Sequence, residues 1–158
     1  MAEDEEGTIT LLGSFQKNNQ EVVCAGVNTW QGKYYFFLRV FVPIVGSEEL
    51  TPTQKGVNLP YVFIDEFSQG VRNFGEVMGG DQVVKTIIKG DNREIRFSTN
   101  TYKGQSLIDI REFIIPKEGG KAFATKKGIS IRTEQFPILI EIVEKLSFFV
   151  KSELKKSP

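Results

Sequence analysis

Laid on itself at an offset of 72 residues, the chain matches residues 15–74 to residues 87–146 without a gap. NTWQG (28–32) falls over NTYKG (100–104), RVF (39–41) over REF (111–113), and TQKGVNL (53–59) over TKKGISI (125–131). Separate short identities that keep one register over about 60 residues mark a tandem duplication, and a duplicated chain folds as two copies of one supersecondary unit. Whatever architecture is assigned to one copy must therefore serve both.

Each copy reads as four short strands and a helix. In the second copy, residues 84–89, 94–101, 106–115 and 127–131 are rich in β-branched and aromatic side chains, with Gly or Asn in the turns between them. Thr133 is a candidate N-cap for a helix opening at Glu134, with Pro137 in its first turn, where a missing N–H costs least. The first copy repeats this pattern with strands at 7–15, 21–27, 34–42 and 55–59 and a helix at 60–74. In Tyr34, Tyr35, Phe36 and Phe37 alternate members face opposite sides of the strand, so half of them are core. The expected organisation is an acidic N-terminal tail (1–6), a first ββββα repeat (7–75), a linker (76–83), a second ββββα repeat (84–150) and a polar C-terminal tail (151–158).

The last helix predicts how the copies associate. At 100° per residue, Phe136, Leu139, Ile140, Val143 and Val150 share one face, sufficient to cover the helix's own sheet. Ile138, Ile142 and Phe149 form a second apolar stripe that a two-layer unit leaves in water. The helix of the first copy, with Phe63, Ile64, Phe67, Val71 and Phe74, is the nearest partner. The expected fold class is therefore α+β: two tandem ββββα repeats forming an intramolecular pseudo-dimer, with antiparallel sheets and paired helices. A monomer with pseudo-dimer symmetry is expected, with a homodimer through exposed strands as the alternative.

Composition narrows the chemistry. Cys24 is the single cysteine and the chain has no histidine, so an intrachain disulfide, a His-ligated metal and every Ser-His or Cys-His nucleophile system are excluded. Walker-type, dinucleotide-binding and calcium-loop motifs are absent as well. A non-enzymatic protein without cofactor or metal is expected. Apolar runs fall short of the roughly 20 residues of a membrane-spanning helix, and the acidic start differs from the basic start of a signal peptide. No membrane partner is expected, and the location is read as intracellular: nucleoid, nucleus or virus-infected cell. The net charge of zero conceals two opposite halves. Residues 1–80 hold 5 Lys and Arg against 10 Asp and Glu, whereas residues 81–158 hold 15 against 10. The basic half suggests an anionic partner.

YKGQSLIDIREFIIPKEGG (102–120) followed by KKGISIRTEQF (126–136) resembles the DNA-binding domain of the positive cofactor four family of transcriptional coactivators. The resemblance covers residues 95–146 strongly and, through the repeat, residues 15–74 more faintly. It implies a Whirly-like single-stranded DNA-binding fold: four antiparallel strands and a helix per unit, two units paired through their helices, and sheets presented to single-stranded DNA or melted duplex. Tandem repeats in Pur-type and Whirly-type proteins of similar topology also bind single strands. The family's usual homodimer would here be two halves of one chain.

Carried over residue by residue, the resemblance assigns the family's turn aromatic to Tyr102, the basic residue after it to Lys103, its strand arginine to Arg111, its basic pair before Gly to Lys126 and Lys127, and an earlier basic residue to Arg93. The first copy holds Trp30, Gln31, Arg39, Gln54 and Lys55 at the corresponding positions. The family's exposed Trp, three residues after the strand arginine, is Ile114 here and Val42 in the first copy. The expected nucleic-acid-binding residues are Trp30, Arg39, Lys55, Arg93, Tyr102, Lys103, Arg111, Lys126 and Lys127. Aromatic rings stack on unpaired bases and cations follow the phosphates, and neither contact reads sequence. Arg111 has a competing assignment, pairing with Asp109 or Glu112; Lys17 and Lys89 read as solvated strand ends. The expected function is largely sequence-independent binding of single-stranded DNA in transcription regulation or in DNA replication or repair, together with other transcription or replication proteins. An RNA-binding protein or a protein-interaction module of the same fold is the alternative. The second copy is expected to dominate affinity because it carries more of the cations.

Overall fold

The computed structural model describes residues 7–77 and 79–154. Its first sheet comprises β1 (Ile9–Gln16), β2 (Val22–Trp30), β3 (Lys33–Pro43) and β4 (Leu50–Pro60), followed by a 3-10 turn at Tyr61–Phe63 and helix α1 (Ile64–Phe74). The second comprises β5 (Gln82–Gly90), β6 (Arg93–Tyr102), β7 (Gln105–Ile114) and β8 (Phe123–Arg132), a 3-10 turn at Thr133–Gln135 and helix α2 (Phe136–Phe149), which runs on as a π-helical turn at Val150–Leu154. Both sheets are antiparallel meanders in sequence order. The acidic segment 1–6 and residues 155–158 of the C-terminal tail lie outside the described residues.

Alternation builds each sheet. On β3, Phe36, Leu38 and Val40 point inward and are buried, while Tyr35, Phe37, Arg39 and Phe41 lie on the outer face. Register is interrupted at equivalent places in both copies. One irregularity lies between Leu11 and Gly13 and recurs between Val83 and Lys85; another lies between Arg39 and Phe41 and recurs between Arg111 and Phe113. At the second, the fourth strand carries extra residues, and a threonine repairs the ladder. Thr53 Oγ1 donates to the Val40 carbonyl (2.8 Å) and accepts from the Lys55 amide (3.1 Å); Thr125 does the same for Glu112 (2.8 Å) and Lys127 (3.1 Å). The bulge explains why β4 and β8 begin earlier than the expected 55 and 127: the strand continues beyond the irregularity, and Pro52 is tolerated there because β4 has no further hydrogen-bonded strand beside it.

The helices are exchanged. α1 packs on β5 and β6, and α2 packs on β1 and β2, so each helix lies mainly against the other repeat's sheet. This corrects the expectation that one face of α2 serves its own sheet. The reason is the connection: β4 and β8 lie side by side where the repeats meet, and a helix that follows either strand through a single 3-10 turn enters the other half of the core. α2 buries Leu139, Ile142, Val143, Leu146 and Val150 as one stripe, with Ile142 joining the core and Ile138 left exposed, so the two expected stripes are redistributed. Thr133 does not cap α2; it opens the 3-10 turn, and Pro137 occupies the first helical turn as expected. Leu154, beyond the expected end of the repeat at 150, is also buried.

One core results, drawing on both sheets and both helices. Phe67 of α1 sits between Phe36 of its own sheet (5.2 Å between ring centroids) and Phe97 of the other (5.4 Å), and Phe74 also reaches Phe97 (6.1 Å). Such tilted aromatic pairs contribute about 0.5–1.5 kcal/mol each beyond their area. The packing is complementary and unequal. Gly70 of α1 faces Phe97, whose ring carbons lie 2.7 Å from where a Cβ would stand. At the corresponding positions α2 carries Ile142 and β2 carries Ala25, and Ile142 packs on Gly13, 3.0 Å from where a Cβ would stand. Large meets small on both sides, in opposite order. At another equivalent pair, Arg72 Nε bonds Glu144 Oε2 across the helix interface at 3.3 Å.

Substituting Gly70→Ile overpacks against Phe97 and costs about 1–3 kcal/mol, while Phe97→Ala costs about 3–5 kcal/mol. Combined, the two reproduce the Ile142–Ala25 arrangement, and urea denaturation of the set will show the double variant losing less than the sum of the single losses. Strict additivity would contradict the packing described.

Candidate nucleic-acid interface

Two-residue hairpins close β2–β3 and β6–β7. Trp30 pairs with Lys33 and Tyr102 with Gln105. Gln31 (φ 51°) and Gly32 (φ 76°), like Lys103 (φ 51°) and Gly104 (φ 80°), take the left-handed conformation that a type I′ turn requires. The turn projects its aromatic outward: Trp30 is 47% exposed and Tyr102 61%. Lys103 Nζ lies 5.4 Å from the Tyr102 ring centroid, within cation–π reach.

Where the repeats meet, two clefts form. One, of about 460 Å³, gathers Lys17 and Lys55 from the first repeat with Arg111 and Lys126 from the second. The other, of about 440 Å³, gathers Lys89, Glu112 and Lys127 from the second with Arg39 and Asn58 from the first. Lys17 corresponds to Lys89, Lys55 to Lys127, Arg111 to Arg39 and Lys126 to Gln54, so the clefts are counterparts across the pseudo-dyad. The threonine-pinned bulges carry Lys55, Lys126 and Lys127 to their rims. Of the nine expected residues, these clefts bring together Lys55, Arg111 and Lys126 in one, and Arg39 and Lys127 in the other. Trp30, Tyr102 and Lys103 stand apart at the hairpin tips, and Arg93 at the start of β6 lines neither. Lys17 and Lys89, which sequence alone reads as solvated strand ends, are cleft residues; their equivalence across the repeat was the available signal.

The cations are not equally available. Arg111 makes a two-pronged pair with Asp109 (Nε to Oδ2 3.1 Å, Nη2 to Oδ1 3.0 Å) and donates from Nη1 to the Thr125 carbonyl at 3.0 Å. Lys89 and Arg93 both bond Glu112, a buried carboxylate at the inward position that Val40 holds in the first copy. Burial alone would raise the Glu112 pKa; hydrogen bonding and charge from Lys89, then the hydrogen bond from Arg93, outweigh it and hold the carboxyl below its ordinary value. Arg96 is held by Glu94 and lies over the Phe113 ring at 4.3 Å. Lys126 and Lys127 have no ion pair among the described residues, and neither does Arg39, whose guanidinium is pulled below its ordinary value by burial. Four of the second copy's cations, Lys89, Arg93, Arg96 and Arg111, are thus held by its own carboxylates. Cys24 is fully buried and its thiol is pushed up by that burial, which leaves it inert as a nucleophile. Among the described residues no cluster could hold a metal ion, and no helix is long and apolar enough to cross a membrane.

In the first cleft, Glu21 organises the lysines. Its carboxylate bonds Lys17 at 3.1 Å and Lys55 at 3.0 Å and accepts from Asn18 at 2.8 Å. The Asn18 hydrogen bond, followed by that of Lys55, lowers its pKa from 4.5 to about 2. A carboxylate with a depressed folded pKa contributes stability that is present above its unfolded pKa and is lost as pH falls through the folded value. Thermal melts of Glu21→Gln should therefore show lower stability than the parent at pH 7 and convergence with it between about pH 4.5 and pH 2. A constant difference across that window would mean that Glu21 is not the titrating group.

Residues 89–142 match the family described as Transcriptional Coactivator p15 (PC4). Among solved structures, a PC4 homologue from Burkholderia pseudomallei is 27% identical over 39% of this chain and 90% of its own, with a TM-score of 0.36 in one crystal form. A bacteriophage T5 homologue of the eukaryotic coactivator PC4, described as implicated in recombination-dependent DNA replication, is 18% identical over 50% of this chain and 93% of its own, with a TM-score of 0.35. No curated protein matches the chain.

Proposed function

With a PC4-type domain as its second repeat and a second copy of the same ββββα unit fused ahead of it, the chain is, we propose, a sequence-tolerant single-stranded DNA-binding protein that serves transcription or DNA replication. The observation that carries this reading is the pair of counterpart basic clefts at the junction of the sheets, together with aromatic rings held out on type I′ turns. Unpaired bases offer flat faces to Trp30 and Tyr102, each stack being worth about 1–3 kcal/mol, while cations along a groove follow the phosphates. A stiff duplex keeps its base faces hidden and gains only the second of these. Lys126 and Lys127, which make no close ion pair among the described residues, and Lys103 at the hairpin tip are the principal phosphate contacts. Arg93 and Arg111 act chiefly as internal ion-pair partners, which moderates the expected dominance of the second repeat. The reaction is binding alone; no group in the clefts is assigned a covalent or acid–base role.

Fluorescence anisotropy across labelled single-stranded DNA, duplex DNA and RNA tests the reading. Single strands should bind more tightly than duplex, and the affinity should fall steeply with salt as counterions are no longer released at a profit. Equal affinity for both forms, or none at low salt, would sink the proposal. Replacing Trp30 and Tyr102 together by Ala should lower affinity by about tenfold or more with an unchanged circular dichroism spectrum; an unaltered affinity would remove stacking from the mechanism.

A further inference from the structure

The outer faces of the two sheets handle the same arginine in different ways. In the second repeat Arg111 is paired by Asp109 two residues earlier on β7. In the first, Phe37 occupies the position of Asp109, and Arg39 faces an aromatic ring, its guanidinium carbon 5.8 Å from the Phe37 centroid. The consequence is local and unusual. Four buried side-chain polar atoms among the described residues have no hydrogen-bond partner within the protein, and three of them, Arg39 Nε, Asn28 Oδ1 and Asn58 Oδ1, belong to residues that line one small pocket. Its volume is about 80 Å³, and Phe37 and Phe41, stacked at 6.1 Å and 26°, form its aromatic side. Arg39 and Asn58 also line the 440 Å³ cleft that holds Lys127, so the pocket shares a wall with the proposed phosphate path.

Buried polar groups in folded proteins are nearly always satisfied, and a cluster of them left without partners beside one pocket is complementary to something else. One donor and two acceptors are unsatisfied here, beside aromatic rings. A phosphate or carboxylate offers acceptors only and would answer Arg39 while repelling the two amide oxygens. A nucleobase edge offers both kinds of group and a flat face. Among the bases, adenine, cytosine and thymine each have a single donor group on the Watson–Crick edge, whereas guanine sets two, N1–H and the N2 amine, beside the O6 acceptor. Arginine to guanine O6 is also the commonest specific base contact.

From this arrangement we infer that the Arg39–Asn28–Asn58 pocket of the first sheet is a base-reading subsite that accepts the edge of a guanine in a bound single strand. The inference rests on the single-strand reading above and adds to it: binding tolerates sequence everywhere but at this one position. The second repeat lacks such a subsite because Asp109 already occupies Arg111 and because Ser130 stands where the first repeat has Asn58.

The test uses the full chain and thymidylate strands of about a dozen nucleotides carrying one central guanine, cytosine or adenine, compared by anisotropy with the all-thymidylate strand. A single guanine should raise affinity about tenfold, within the range of a well-formed base contact, and cytosine or adenine should raise it much less. Phe37→Asp, which gives Arg39 the internal partner that Arg111 has, should bring the guanine-to-thymine affinity ratio to about one. Asn58→Ser, a milder change to the residue of the second repeat, should do the same should the first variant fail to fold. Wild-type protein that binds all strands with equal, measurable affinity would overturn the subsite while leaving the general function standing. Protein that binds none of them would overturn both. Loss of the guanine preference in excess inorganic phosphate, but not in sodium chloride of equal ionic strength, would show an anion site instead and overturn the base assignment.

Discussion

The exchange of helices across the repeat junction is the contact on which everything else depends. A four-stranded sheet with one apolar face needs a cover, and here each sheet is covered by the helix of the other repeat. Neither ββββα unit has a closed core by itself; Phe67, wedged between Phe36 and Phe97, belongs to both. Because β4 and β8 lie side by side and run into their helices through single 3-10 turns, the exchange follows from short connections and needs no long crossover.

This arrangement spends the inner faces on stability and leaves the outer faces and the junction outside the core. The bulges illustrate the division. They break the ladder next to the junction, where an interruption would normally strand a carbonyl, and Thr53 and Thr125 each supply the missing donor. What the bulges gain is position: the residues after each threonine, Gln54 and Lys55 or Lys126 and Lys127, stand at the rim of a cleft shared by both repeats. The second repeat pays an ionic cost for its polarity, since Glu112 at an inward position must be matched by Lys89 and Arg93. The first repeat places Val40 there and carries its apolar surplus outward instead, in Cys24, Phe37 and Phe41.

Much of the architecture was legible in the sequence because it is local or repeated. The offset of 72 residues announced two equal units, the NTWQG and NTYKG strings announced hairpins with a glycine in the turn, and alternation on β3 separated Phe36 from Phe37. The helix exchange was not legible: helical periodicity states that a stripe is buried, not which sheet buries it. The redistribution of Ile138 and Ile142 follows from the same blindness. For the candidate site, residue types and equivalences were available, and so was the Arg111–Asp109 pairing as a weighed alternative. Which cations remain unpaired was not, because Lys89 and Arg93 meet Glu112 from different strands, and a contact across strands depends on register. Gly70 gave no sign of its role until Phe97 was seen against it.

The mismatch between the halves has a consequence beyond packing. Gly70 opposite Phe97, Ile142 opposite Gly13, and Arg72 bonded to Glu144 are pairings between unlike residues at like positions. Two first repeats would leave Gly70 facing Ala25 and set Arg72 against Arg72; two second repeats would crowd Ile142 into Phe97 and set Glu144 against Glu144. A homodimer with a true twofold axis looks the same to a chain molecule crossing it in either sense. This molecule, having given up that symmetry, has a front and a back: a polymer with distinct ends that crosses the junction meets the Glu21-bound lysines and Arg39, which has no ion pair among the described residues, in one order or the reverse, and the two orders are no longer equal in energy.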